Sequence, residues 1–143
     1  MSDKGDKGKT ALESLFRRYD VAAAYLFGSR AADGLRSLAG EAVEGSGSDL
    51  DLAVRFCGGL RDVRTLSDLQ LGVDELFEPL RVDLVPLERV DAIFQARAID
   101  GHRIFAADST EADLYELYIL SRAADLLPFQ RARERELFGV STS

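Results

Sequence analysis

Along residues 49–56, Leu50, Leu52, Val54 and Phe56 alternate with Asp49, Asp51, Ala53 and Arg55. A period of two is that of a β-strand, with one large apolar face and one small, polar face. A slip by one residue would bury both aspartates and expose four hydrophobes, so the pattern also sets the register. Val21–Phe27 is a short apolar run ending at Gly28-Ser29, which predicts a buried strand entering a tight turn. Residues 81–85 predict a third strand, with Val82 and Leu84 on one side and Arg81, Asp83 and Val85 on the other. His102–Phe105 predicts a short edge strand.

Helical spacing fills the intervals. A first helix is expected over residues 10–19, with Thr10 as cap, Glu13 completing a capping box, and Leu12, Leu15 and Phe16 inward. Others are expected over 30–38, over 61–79 with Leu66, Leu69, Val73, Leu76 and Phe77 on one stripe, and over 88–99 with Val90, Ile93 and Phe94 inward. A last helix starts near Ser109-Thr110 and places Leu114, Leu117, Tyr118, Ser121 and Ala124 at helical spacing. Pro128 is expected to kink it or start a new segment. Residues 39–48 hold three glycines and two serines and read as a mobile loop. Strands alternating with helices make this an α/β (α+β) domain. The irregular link between the first two long strands predicts a small mixed sheet flanked by helices.

The chain has 143 residues, enough for one domain with a real core and no disulfides. Three parts are expected: a disordered, charged, Gly-rich tail over 1–9, a folded domain over 10–127, and a charged helix or tail over 128–143. Eighteen basic and 25 acidic residues give a net charge of −7. That balance lacks the basic footprint of a nucleic-acid binder, so no direct nucleic-acid binding is expected. No apolar run suits a membrane span or a secretory signal, and a cytoplasmic location is expected. Cys57 is the only cysteine and His102 the only histidine. Nothing ties the two together, so a structural or incidental role is expected for each.

The chemistry gathers on the polar face of the strands. Asp49 and Asp51 share a face, about 7 Å apart between Cα atoms, and Asp83 stands on the next strand. Three clustered carboxylates repel one another unless a cation relieves them. Hard oxygen ligands without histidine point to Mg²⁺ or Mn²⁺. Two such ions about 3.5–4 Å apart clamp a phosphoryl group during in-line displacement. In that scheme Asp49 and Asp51 hold both ions, while Asp83 holds the one that activates the acceptor and takes its proton. Gly28 lets the backbone approach a phosphate, the Ser29 hydroxyl donates to it, and a helix starting at Arg30 offers free N–H groups, with Arg30 itself adding charge. Arg55 and Arg81, at strand ends, are expected to pair with surface acids, and Tyr115 and Tyr118 to pack the last helix.

Taken together, Gly28-Ser29, Ser48-Asp49-Leu50-Asp51-Leu52 and Val82-Asp83-Leu84-Val85 resemble the minimal nucleotidyltransferases, the MNT-type branch of the DNA polymerase beta-like superfamily. Many members are antitoxins encoded beside a HEPN-domain RNase toxin. The resemblance implies a nucleotidyltransferase fold, ATP as donor, Mg²⁺ as cofactor, transfer of AMP to a tyrosine hydroxyl of the toxin, and a hetero-oligomer with it. It makes Asp49, Asp51 and Asp83 the metal-binding and catalytic acids, and Gly28 and Ser29 the phosphate turn. Two other readings stand beside it: an antitoxin that works by binding alone, and a small-molecule transferase of the aminoglycoside-modifying kind. Residues 30–48 separate Ser29 from Asp49, a longer approach than that family usually has.

Overall fold

The computed structural model describes residues 3–138. Four strands, β1 (Val21–Phe27), β2 (Leu50–Phe56), β3 (Val82–Pro86) and β4 (His102–Ala106), form one sheet in the order β3-β2-β1-β4. β1 runs antiparallel to both β2 and β4, and β2 runs parallel to β3, so the sheet is mixed as the connections predict. Five helices flank it: α1 (Asp3–Arg18), α2 (Ala31–Leu38), α3 (Val63–Leu76), α4 (Ala92–Ile99) and α5 (Ser109–Phe138).

The alternation in β2 divides the interior in two. On one face Leu50, Leu52, Val54 and Phe56 join Ala24, Leu26 and Val82 beneath Leu12 and Phe16 of α1, Leu69 and Val73 of α3, and Phe77 and Leu80 beyond it. Leu50, Leu52 and Val54 are fully buried. On the other face Ala53 joins Ala23, Tyr25 and Phe27 beneath Ala98 and Ile99 of α4 and Ala112 and Ile119 of α5. That second layer reaches, through Phe27, the strand end that carries Asp51.

Several boundaries differ from expectation, each for a local reason. α1 begins at Asp3, so residues 3–9 are helical where a tail was expected. The glycines there serve packing. A Cβ on Gly8 would stand 2.6 Å from the Leu38 carbonyl oxygen, and one on Gly5 3.2 Å from that of Ala39. Thr10, expected as a cap, lies mid-helix and donates its hydroxyl to the Asp6 carbonyl. α3 starts two residues late because Asp62 accepts from the Thr65 N–H at 2.8 Å and caps it. The helix expected from residue 88 is instead a single 3-10 turn, Leu87–Arg89, followed by α4, which Asp91 caps through the Phe94 N–H. Glu88 is thereby freed to accept from the Phe56 N–H at 2.8 Å.

α5 departs most. It runs on through Pro128 to Phe138, across the boundary expected at 127. A proline removes one helical hydrogen bond and crowds the carbonyl four residues back. Here Asp125, Leu126, Leu127 and Phe129 are exposed, so no packed neighbour is disturbed. Residues 139–143, the end of the expected charged tail, lie outside the described residues. The buried face of α5 is Ala112, Ile119 and Ala123, whereas Leu114, Leu117 and Tyr118 are exposed. No helix among the described residues is long and apolar enough to cross a membrane.

Candidate active site

The acids meet because two strand pairings place them side by side. Parallel register sets Asp51 opposite Asp83, and antiparallel register sets Phe27 opposite Asp51, so the end of β1 faces the same point. Asp49 lies just outside β2 and is exposed, as is Asp83, while Asp51 is half-buried. The Asp51 carboxyl is pushed above the usual carboxylate range, first by its own desolvation, then by the charges of Asp83 and Asp49. The three carboxylates therefore share one electrostatic site. Among the described residues, no three His, Cys, Asp or Glu side chains close into a cage around a point. Asp51 and Asp83, side by side in register, are the acids whose oxygens could hold a cation together with substrate phosphates.

The turn after β1 is built against these acids. Gly28 has φ +77°, and a side chain there would run into the Asp51 carboxylate. Both the left-handed backbone and the close approach demand glycine. Ser29 is exposed, with its Oγ 3.3 Å from that of Ser48. α2 follows at once, and the first N–H groups of a helix have no partners within it. The glycine turn stands two strands from Asp83.

Arg30 requires a correction. Expected to reach phosphate, it is buried, and its guanidinium is committed elsewhere. Nε donates to Asp33 at 2.8 Å, and Nη1 donates to the carbonyls of Ser46 (2.9 Å) and Ser48 (3.0 Å). Nη2 donates to the Glu44 carbonyl. Gly45 packs on Pro79, where a Cβ would stand 2.9 Å from the proline Cβ. Residues 39–48, expected to be a mobile loop, are held by these contacts.

A cavity of about 360 Å³ opens beside the acids, lined by Phe27, Gly28, Asp51, Asp83, Val85, Phe94 and Arg97. Phe94 stands edge-on to Phe27 with ring centroids 5.8 Å apart. Phe94 and Arg97 lie three apart on α4 and so share a helix face. Sequence reasoning placed Phe94 inward but assigned neither residue to the site, since only the packing of α4 over β1 brings them there. A larger groove, about 640 Å³ between α1 and α3, has Arg18, Asp68 and Glu75 among its lining but no grouped acids, and chemistry favours the smaller cavity.

Arg55 stacks over Tyr115, 4.0 Å from the ring centroid, and pairs with Glu111 at 2.6 Å. Tyr118, expected to pack, is exposed beneath Arg122. Cys57 is a free, exposed thiol, and His102 is exposed on β4.

Comparison with known proteins gives a family and a fold. The family model described as polymerase beta, nucleotidyltransferase matches residues 10–110. Among solved structures, the chain is similar to one of a tri-AMPylated HEPN toxin in complex with MNT antitoxin from Shewanella oneidensis. The TM-score is 0.66 at 17% identity, over 93% of this chain and 98% of that one. It is also similar to a toxin–antitoxin structure with AMP-PNP, with a TM-score of 0.68 at 17% identity over 90% and 97% of the two chains. A MntA–HepT toxin–antitoxin structure gives 0.65 at 16% identity over 92% and 97%. At these identities the structural likeness speaks for the fold.

Proposed function

The chain belongs to the polymerase beta nucleotidyltransferase family, and from that premise we propose that it is an ATP-dependent protein adenylyltransferase that acts as an antitoxin. Its partner on this reading is a HEPN-domain RNase toxin, and the acceptor is a tyrosine hydroxyl on that toxin. The observation that carries the reading is the pairing of Asp51 with Asp83 across β2 and β3, beside a turn where any side chain would block Asp51. A protein that only bound its partner would gain nothing from three mutually repelling acids. The similar structures named above, one with an AMPylated HEPN toxin and one with AMP-PNP, support the class of partner and of donor, while the tyrosine acceptor rests on the family resemblance.

The roles follow from position. Gly28, Ser29 and the start of α2 hold the leaving pyrophosphate through N–H and hydroxyl donors. Asp83, on the far side of Asp51, takes the proton from the acceptor hydroxyl. The acceptor oxygen bonds to the α-phosphorus as the bond to pyrophosphate breaks. Asp49 and Asp51, with Asp83, would hold Mg²⁺ or Mn²⁺, which would supply charge stabilisation to the phosphoryl oxygens. Phe94 and Val85 wall the approach with apolar surface.

The test mixes the protein with labelled ATP, Mg²⁺ and the product of the neighbouring gene, and then repeats with Asp49→Ala/Asp51→Ala. Label should appear on the neighbour's tyrosine and be lost by about 10³-fold or more in the double variant, the scale of losing electrostatic transition-state stabilisation. Neutralisation that survives the double variant, with no label on any protein, would mean that binding alone suffices. Label on an added aminoglycoside and on no protein would instead assign a small-molecule acceptor.

A further inference from the structure

Arg30 is the one buried charged residue among the described residues, and nothing in the transfer chemistry uses it. Its backbone position is distinctive. It is the residue before α2, its carbonyl accepts the Gly34 N–H at 3.0 Å, and it follows Ser29 directly. Its side chain reaches forward across the fold to the carbonyls of Glu44, Ser46 and Ser48. Ser48 is the residue immediately before Asp49. One side chain therefore joins the end of the phosphate turn to the start of the metal-binding strand.

Residues 39–48 contain Gly40, Gly45 and Gly47, whose backbone freedom is costly to restrict. The other anchors of this segment are spread out: Gly45 against Pro79, Val43 against the main apolar layer, and the Glu44 carboxylate, which accepts from the Ser46 hydroxyl at 3.0 Å. Among the described residues, only Arg30 ties Glu44, Ser46 and Ser48 together. A guanidinium suits the task because its N–H groups form a rigid planar fork. An ammonium offers three donors from a single nitrogen and cannot span acceptors at opposite ends of the group. Asp33, at 2.8 Å from Nε, balances the charge and fixes the plane.

We propose that Arg30 is a positioning residue for nucleotidyl transfer: it clamps residues 44–48 so that Ser29 and Asp49 are held in register across the site. The clamp acts through Ser48, whose hydroxyl meets Ser29 at 3.3 Å and whose carbonyl Arg30 holds. It turns a long, glycine-rich approach into a fixed strap. This inference rests on the transfer reaction proposed above for its kinetic arm and is independent of it for its structural arm.

The experiment uses the full chain with Arg30→Lys and, separately, Gly45→Ala, which would push the strap off Pro79. Three quantities are read: kcat for transfer, affinity for a non-hydrolysable ATP analogue with Mg²⁺, and hydrogen exchange over residues 39–48. A displaced ligand set costs about 10²-fold in rate for about 1 Å of misplacement. Arg30→Lys should therefore lose about 10²-fold in kcat, keep analogue affinity within about 3-fold, and lose exchange protection in the strap. Gly45→Ala should likewise lower kcat and exchange protection while keeping analogue affinity, and it decides the matter if Arg30→Lys does not fold. Rescue of kcat by lysine, or a loss of analogue affinity at unchanged kcat, would make Arg30 a charge acting on phosphate and overturn the proposal. Wild-type protein that transfers nothing would count against the proposed reaction alone. Unchanged protection of residues 39–48 in both variants would then overturn the clamp.

Discussion

The two faces of β2 are made by one strand and do opposite work. On one, Leu50, Leu52, Val54 and Phe56 are sealed under α1 and α3 in a layer of large side chains. On the other, Ala53 is equally buried, yet it is the smallest residue of the strand, and α4 and α5 lie over it with alanines of their own. The large face supplies hydrophobic stability, at about 25 cal/mol per Å² of apolar surface buried. The small face gives up some of that burial so that α4 can lie close and leave Phe94 and Arg97 beside Asp51 and Asp83. Stability and chemistry are thus separated by residue parity, not by distance along the chain.

The largest effect is expected at Asp51, where the two roles conflict. Asp51→Asn should lower transfer by about 10³-fold or more. It should also raise the melting temperature of the metal-free protein at neutral pH. The sign follows from linkage: the folded-state pKa lies above the ordinary aspartate value of 3.8, so the folded protein holds its proton longer than the unfolded chain. Metal-free stability therefore falls as pH rises from 3.8 through the raised value, and Asn removes that loss. Added Mg²⁺ should raise the melting temperature of the wild type and leave that of the variant nearly unmoved. A variant less stable than wild type without metal would contradict the account.

On the opposite face, Leu52→Ala should destabilise by about 2–5 kcal/mol, the range for emptying a packed leucine site. Below its lowered transition, the folded protein should keep its kcat, because Leu52 points away from the acids. Denaturant unfolding and single-temperature kinetics together check this. Ala53→Leu should cost less, about 1–3 kcal/mol for overpacking, and yet slow transfer. Ala53 lies between Tyr25 and Val85 in the sheet, in the same apolar layer as Phe94. A larger side chain there should lift α4 and disturb the cavity. If Leu52→Ala slowed the reaction more than Ala53→Leu, the division of labour between the faces would be wrong.

How much of this was legible in sequence depended on whether a feature was local. The alternation of β2 marked both faces, and the parity of Asp83 against Val82 and Leu84 placed the third acid correctly. Parallel pairing then set Asp51 opposite Asp83. The Gly28 turn was visible because left-handed backbone has a local residue signature. Arg30 was misread because its partners lie 14–18 residues onward in a segment whose composition signals disorder. Gly5 and Gly8 misled for a related reason, since their glycines answer to the carbonyls of Leu38 and Ala39. In α5, apolar residues stand almost all round the helix, so spacing alone could not choose which stripe faces the body.

The smallest predicted effect lies where the small face is tied to α5. Tyr25 is fully buried, and its hydroxyl donates to Glu116 at 2.8 Å, while Arg103 donates to the same carboxylate at 2.7 Å and to Asp113 at 2.8 Å. Burial, then the bond to Glu116, raises the phenol pKa well above its ordinary value, so it stays a donor throughout the working range. Tyr25→Phe removes one bond and leaves Glu116 paired with Arg103. The expected cost is therefore near the lower end for a bond to a charged group, about 1.5 kcal/mol, or about 5 °C in Tm. Transfer at 25 °C should be unchanged, because Ala53 and Phe27 still fix β1 against β2. A double-mutant cycle with Glu116→Gln isolates the pair, and coupling of at least about 0.5 kcal/mol is expected for groups in direct contact. Coupling near zero would mean that α5 is held to the sheet by Ala112, Ile119 and Ala123 alone, and that the polar tie beneath the small face contributes nothing to its rigidity.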